Sequence, residues 1–384
     1  MKLRRKTDIK IFTITILLLV SFSLINNVKA QAFGEKNIGV YPTNNSFEDV
    51  VVSTNYAYIA ENGGDYALRI VSIVNPTNPT LIGSGERYGS DSAHCIDVNP
   101  AETIAIVGAS NNVYIFNVIL KDNPNRTKEI NVGSTVYDVE ISGNYVYCAA
   151  YSSGLPIINI TDLNNPTLLF DGKYSGYNQN YLRDIYVDDA KGFIYAAGGN
   201  NVLIFQINSS GLPELYSSVD IAYTAYSVYK ISDTRLVAGN SYGQVYFIDI
   251  TNPASPSVLG MVDIGSYVHD LYHADSTGNL VFAADYADGL NIINYHSFTN
   301  PEHVGIMGTT TGGARGYGID CNSNYAVLAA GSYGLLIYRL SDCLNIAGEG
   351  MAIPGYPLLF LTLNVVTIII FITLKNRNSK VFHK

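Results

Sequence analysis

The 384-residue chain has no tryptophan, only four cysteines and four methionines, and just 14% charged residues. Each shortage narrows the reading. The cysteines (Cys95, Cys148, Cys321 and Cys343) contain no C-x-x-C pair, so neither a zinc ribbon nor a dithiol redox motif is indicated. Positive charge is scarce: residues 31–352 hold 13 Lys and Arg against 31 Asp and Glu, a formal charge of −18. Binding nucleic acid needs a basic footprint, so no nucleic-acid partner is expected. What is plentiful is glycine (34) and tyrosine (30), a composition that suits many short strands joined by turns.

The two ends differ from the middle. Lys2, Arg4, Arg5, Lys6 and Lys10 precede an apolar run from Ile11 to Ile25 and a small-residue exit at Ala30. This is the layout of a secretory signal peptide over residues 1–30, the alternative being an uncleaved signal anchor. Ile353 to Leu374 is 22 residues without a charge, long enough to cross a ~30 Å hydrocarbon layer. Lys375, Arg377, Lys380 and Lys384 follow, which predicts a single-pass transmembrane helix with a basic cytoplasmic tail over 375–384. The helix and tail resemble the C-terminal anchors of some archaeal surface proteins. An exterior of residues 31–343, a linker over 344–352 and a cell-surface location follow from these expectations. Export also permits a disulfide, and Cys321–Cys343 is favoured because both fall in the last repeat; buried free thiols are the alternative.

Between the ends one pattern recurs seven times. A strand of alternating apolar residues reads LRIVSI (68–73), VYIFNV (113–118), LPIINI (155–160), VLIFQI (202–207), VYFIDI (245–250), LNIINY (290–295) and LLIYRL (335–340). About 18 residues before each stands an aliphatic anchor: Val50, Ile96, Val139, Ile185, Val228, Leu271 and Ile319. A period in the low forties matches one four-stranded propeller blade. The fold class is therefore all-β, a seven-bladed β-propeller. The seventh unit stops after its third strand, at Leu340, and residues 37–41 have no other partner, so the N-terminal strand is expected to close the ring. Prolines in Asn75-Pro76-Thr77-Asn78-Pro79 and Asn252-Pro253-Ala254-Ser255-Pro256 mark loops between third and fourth strands.

Asp138-Val139, Asn144-Tyr145, Gly154–Ile160 and Asn165-Pro166 together resemble the LVIVD repeat, and the resemblance extends over residues 47–342. It implies a propeller at the cell surface. It carries no catalytic residues to transfer, because the family is defined by its scaffold.

Motifs for chemistry are few. Gly239-Asn240-Ser241-Tyr242-Gly243 has nucleophile-elbow spacing, but it falls in a hairpin whose siblings are Ser152-Ser153-Gly154 and Ser332-Tyr333-Gly334, so a turn is expected. Asp285 and Asp288 are too few oxygens for calcium. Equivalent positions at the start of each innermost strand hold Glu48, His94, Tyr137, Arg183, Tyr226, His269 and Tyr317. These should ring one mouth of the central channel; no metal or cofactor is assigned to them. Connections on that same face carry Tyr88, Tyr151, Tyr174, Tyr177, Tyr242, Tyr286 and Tyr333. Tyrosine offers flat area and a hydroxyl at low entropy cost, so this face is the expected contact surface for an extracellular protein or glycan. The alternatives are an exported lyase or hydrolase working at the mouth, and a surface-layer component that binds copies of itself. Sequons at Asn44, Asn125 and Asn208 are candidate glycosylation sites; a fourth, Asn159, lies inside a strand.

Overall fold

The computed structural model describes residues 32–33, 37–87, 89–172, 181–273, 278–307 and 315–349, with side chains from 37 to 345. These form seven antiparallel sheets arranged as the blades of a propeller. The first blade runs Ser46–Val52, Tyr56–Asn62, Tyr66–Ser72 and Thr80–Glu86, from the axis outward. The innermost strands touch in cyclic order, and Gly318–Cys321 of the last blade packs back on Ser46–Val52 of the first. The ring is closed.

Closure is made by the N-terminus. Asn37–Tyr41 pairs antiparallel with Leu335–Arg339 and supplies the outer strand that the seventh repeat lacks. Just before it, Ala32–Phe33 adds a fifth strand to the sixth blade, parallel to Glu302–Met307. One short segment thus covers two sheet edges that would otherwise be open to pairing.

The apolar core is divided into seven wedges, one between each pair of neighbouring blades. Alternation along a strand explains this. In Tyr56–Asn62, Tyr58 and Ala60 pack on the second blade with Tyr114 and Phe116, whereas Ala57 and Ile59 pack on the seventh with Val327 and Ile337. Both faces of each blade are buried, so its middle strands read as continuous apolar runs. Near the axis the wedges narrow, and small residues are obligatory. A Cβ on Gly239 would lie 2.4 Å from Val268 Cγ1 of the next blade, and one on Gly108 would lie 2.6 Å from Val136 Cγ1.

Two kinds of bulge bend the blades. All seven pairings of third and fourth strands shift register, six of them once and that of the first blade twice, which increases twist and bends the outer strand. In five blades the innermost pairing is also bulged near the start of the strand, at Glu48, His94, Arg183, Tyr226 and His269.

After the last strand the chain forms a helix, α1 (Leu340–Glu349), against the strands Gly289–Asn294 and Glu302–Met307 of the sixth blade. Leu340 and Cys343, three residues apart on one helix face, are buried there. Among the described residues no helix is long and apolar enough to cross a membrane. The signal peptide, the 353–374 segment and the basic tail lie outside the described residues.

All four cysteines are buried, and the Cys321–Cys343 disulfide favoured from sequence is absent; the alternative of buried, unbridged thiols describes the structure. Cys343 Sγ instead donates to the Arg339 carbonyl at 3.5 Å.

Candidate functional site

Each bulge on an innermost strand re-aims one side chain toward the mouth of the channel. Glu48, His94, Tyr137, Arg183, Tyr226, His269 and Tyr317 line a single cavity of about 160 Å³, floored by Asp49, Asp138, Asp184 and Asp270. All seven positions expected from the repeat therefore meet.

The floor is a set of ties between blades. Asp49 accepts the Val50 N–H at 2.7 Å with one oxygen and the Ile96 N–H of the next blade at 2.8 Å with the other. Asp138, Asp184 and Asp270 repeat this, reaching Ile185 (3.0 Å), Val228 (2.6 Å) and Ile319 (2.8 Å). A second row lies deeper. Asp97 accepts from Ile141 at 2.6 Å, Glu140 from Val187 at 2.5 Å and Asp320 from Val52 at 2.7 Å. By surface area the aspartates are only half-buried, yet protein encloses them along the channel wall. Desolvation pushes all seven carboxyls up: Asp97, Asp270 and Asp320 to about 7, and Asp49, Asp138, Glu140 and Asp184 in the same direction. The side chains of Asp138 and Asp184 also interact, which raises Asp184 further and offsets part of the rise of Asp138.

Above the floor stands an aromatic collar. His94 meets Tyr137 (5.5 Å between centroids), Tyr137 meets Tyr151 (5.6 Å) and Tyr151 meets Tyr181 (4.8 Å). On the other side His269 is in ring contact with Tyr226, Tyr286 and Tyr317 at 5.0–5.6 Å, Tyr286 meets Tyr317 at 5.8 Å, and Tyr267 bridges Tyr226 and Tyr286. Arg183 connects the halves, its guanidinium 4.2 Å from the Tyr226 centroid and 4.7 Å from that of Tyr137. Burial keeps both histidines neutral; it lowers His94, and burial followed by the Arg183 charge lowers His269 to about 4. Glu48 is raised by burial while Asn62 donates to it at 3.4 Å.

The expected tyrosine face is partly joined to this mouth. Tyr151 and Tyr286 belong to the collar. Tyr333 lines an adjoining cavity of about 370 Å³ with Arg315, Tyr317 and Ser46. Tyr242 stands apart, stacked on Tyr223 at 4.5 Å and 14°, with 59% and 48% of the two residues exposed. Tyr88, Tyr174 and Tyr177 lie outside the described residues. Two tyrosines are held in the left-handed region that favours glycine, Tyr151 at φ 35° and Tyr223 at φ 61°. The nucleophile-elbow spacing is a hairpin turn in which Asn240 Oδ1 accepts from Tyr242 and Gln244, and Asp285 caps its own turn. No group of three metal-ligating side chains occurs among the described residues. Asn44 and Asn125 are exposed; the Asn208 amide is engaged with Glu214, Ser210 and Leu212, and Asn159 ends a third strand.

Sequence reasoning missed the opposite end of the channel. There Tyr229 meets Tyr186 edge-to-face and Tyr272 at a tilt, each at 5.3 Å between centroids, beside a cavity of about 670 Å³. Its Lys230 is paired with buried Asp188 at 2.6 Å and with Asp233 at 3.0 Å.

Residues 46–86 and 133–172, the first and third blades, match the LVIVD repeat model. The chain carries LVIVD repeats. No curated protein matches it. Among solved structures it is similar to a chain of the mitotic checkpoint complex (14% identity, TM-score 0.64, covering 82% of this chain and 97% of that one). It is also similar to the WD40 β-propeller domain of Doa1 (10%, 0.58, 80% and 96%) and to the computationally designed Ika8 protein (13%, 0.57, 80% and 100%). At such identities the likeness is one of fold.

Proposed function

We propose that this LVIVD-repeat propeller is a cell-surface binding module that takes a protein or glycan through the tyrosine-lined face around the channel mouth, without catalysing a reaction. The observation that carries the reading is the collar of Tyr137, Tyr151, Tyr226, Tyr286 and Tyr317, in which Arg183 joins Tyr137 and Tyr151 to Tyr226, and His269 joins Tyr226 to Tyr286 and Tyr317. Rigid aromatic area with polar tips, set in a ring around a small polar cavity, is the composition of a recognition surface. Glu48, His94 and His269 share the cavity but stand on different blades, and no hydrogen bond couples a nucleophile to a base among them.

Polarity of the chain supports the same face. The last third strand, Leu335–Arg339, starts beside Tyr333 on the collar face and ends on the opposite one, where α1 begins. A membrane segment at 353–374 would then lie below the ring, with the collar turned outward. The test is capture of envelope components from the protein's own cells, with a glycan array alongside, using the full-length chain and a Tyr223→Ala/Tyr242→Ala/Tyr286→Ala variant. A saturable partner lost in the variant is expected. Undiminished capture by the triple variant sinks the reading.

A further inference from the structure

Arg183 is a cation without a counterion in a domain that is strongly acidic. Its guanidinium rests against the faces of Tyr137, Tyr151 and Tyr226, and among the described residues no carboxylate lies within ion-pair distance. Its Nε is buried with no hydrogen-bond partner. Three partly buried cations elsewhere in the ring are matched: Lys230 by Asp188 and Asp233, Arg69 by Glu61, Arg235 by Asp249. A buried donor left unpaired keeps its full desolvation cost, so a ligand that supplies the missing acceptor is favoured. Nearby carboxyls do not supply it. Asp138 and Asp184 are turned to backbone N–H groups and to each other.

What surrounds the guanidinium restricts the anion. His94 and His269 face the same cavity as neutral imidazoles, each able to donate at one nitrogen and accept at the other. Glu48 adds an acceptor, and the tyrosine rings add flat apolar faces beside hydroxyls. Such a mixture fits a ligand that is itself hydroxyl-rich with apolar C–H faces and one negative charge. A volume of about 160 Å³ is below the ~300 Å³ at which drug-sized pockets begin, so it admits one small ring and not an oligomer. A peptide C-terminus fits less well. Its carboxylate is captured in nests of free backbone N–H groups, and here the N–H groups of Ile96, Ile185, Val228 and Ile319 are already taken by aspartates.

We propose that the mouth cavity binds a single carboxylate-bearing sugar residue, a hexuronate, whose carboxylate is held by Arg183 while its ring lies against the tyrosine collar. This deepens the binding-module reading and rests on it. Uronates at the end or along the edge of an acidic glycan are the natural source, and a cation as planar as guanidinium takes the carboxylate with two parallel hydrogen bonds.

The test is ligand-observed saturation-transfer NMR on the full-length chain in mild detergent, titrating glucuronate and galacturonate separately. Glucose, methyl glucuronate ester and an N-acetylated tripeptide with a free carboxylate are the comparison ligands. Saturable binding of either uronate at about millimolar strength is expected. Glucose and the ester should bind at least about tenfold more weakly, as should glucuronate to Arg183→Gln with an unchanged melting temperature. If Arg183→Gln fails to fold, the ester comparison decides alone. Equal binding of glucose and glucuronate overturns the proposal, as does no response to either uronate. Tighter binding of the tripeptide replaces it with a peptide site. Loss of the uronate site alongside intact, tyrosine-dependent partner capture would leave the module reading standing, whereas loss of both would remove it.

Discussion

Asp184 accepts the backbone N–H of Val228 at 2.6 Å, tying the fourth blade to the fifth through a carboxyl that faces the channel. Ile185, the residue after it, is tied in the same manner to Asp138 of the third blade. The ring is therefore held at its axis by carboxyl-to-backbone bonds between neighbours, and by apolar wedges farther out.

These carboxyls set the pH dependence of stability. Their folded-state affinity for protons is raised above that of the unfolded chain, so the folded protein binds more protons between the ordinary carboxylate range and about 7. Stability from this source is fully present below about pH 4 and is lost as pH rises through 7. His94 and His269 act oppositely, losing stability as pH falls below 6.5, but they are two groups against seven. The melting temperature is expected to rise as pH is lowered from 8 to 5, which a calorimetric series measures. A flat or falling series would show that the carboxyls are ionised in the folded ring.

Asp270 tests one tie directly. Its two oxygens accept from Leu271 at 2.7 Å and Ile319 at 2.8 Å. Asp270→Asn leaves one acceptor and turns an NH₂ toward a backbone N–H, so a loss of about 1–3 kcal/mol is expected by chemical denaturation. Gly239→Val should cost a similar amount by overpacking against Val268.

Seven blades and the closing strand were legible because their signals are local. Apolar alternation recurs in every repeat, N-P-x-x-P loops mark the first and fifth, and a seventh unit ending at Leu340 demanded a partner from elsewhere. The mouth residues were legible for the same reason, since equivalent positions on a closed ring must converge. Other features left no local trace. The partner of Asp49 is the N–H of Ile96, a backbone group that every sequence has, so a recurring aspartate reads as a cap and not as a tie. The second row, Asp97, Glu140 and Asp320, occupies only three blades and shows no recurrence at all. Ala32–Phe33 is too short to carry a period, and α1 has only Leu340 and Cys343 to mark its buried side.

The cysteines give a direct measurement of the corrected pairing. All four are buried, and burial pushes the thiols of Cys95, Cys148 and Cys321 up, which leaves little thiolate to react. A thiol-specific reagent should label none of the four in the folded protein and all four after denaturation without reductant. Two labelled residues instead of four would restore a disulfide.

Ring closure predicts a specific failure. Removing residues 31–41 would strip the outer strand from the seventh blade and the added strand from the sixth, and would also remove the stack of Tyr41 on Phe47 at 6.2 Å. Hydrogen exchange at Leu335–Arg339 should accelerate first, and the exposed edge should promote association on size-exclusion chromatography.

Tyr223 separates stability from recognition. It sits at φ 61°, a region that costs a side-chain-bearing residue about 1 kcal/mol, yet half of it is exposed and its ring contact is with Tyr242, itself more exposed. A fold under selection for stability alone would place glycine there, as it does at Gly243 (φ 82°) on the adjacent turn. Retaining tyrosine at a strained surface position is explained if the stacked pair contacts a partner. Tyr223→Gly is therefore expected to leave the melting temperature unchanged or raise it by a degree or two, while weakening partner capture several-fold. A variant that loses stability in step with capture would instead make the pair a structural clamp on the fifth blade, and the recognition surface would contract to the collar around Arg183.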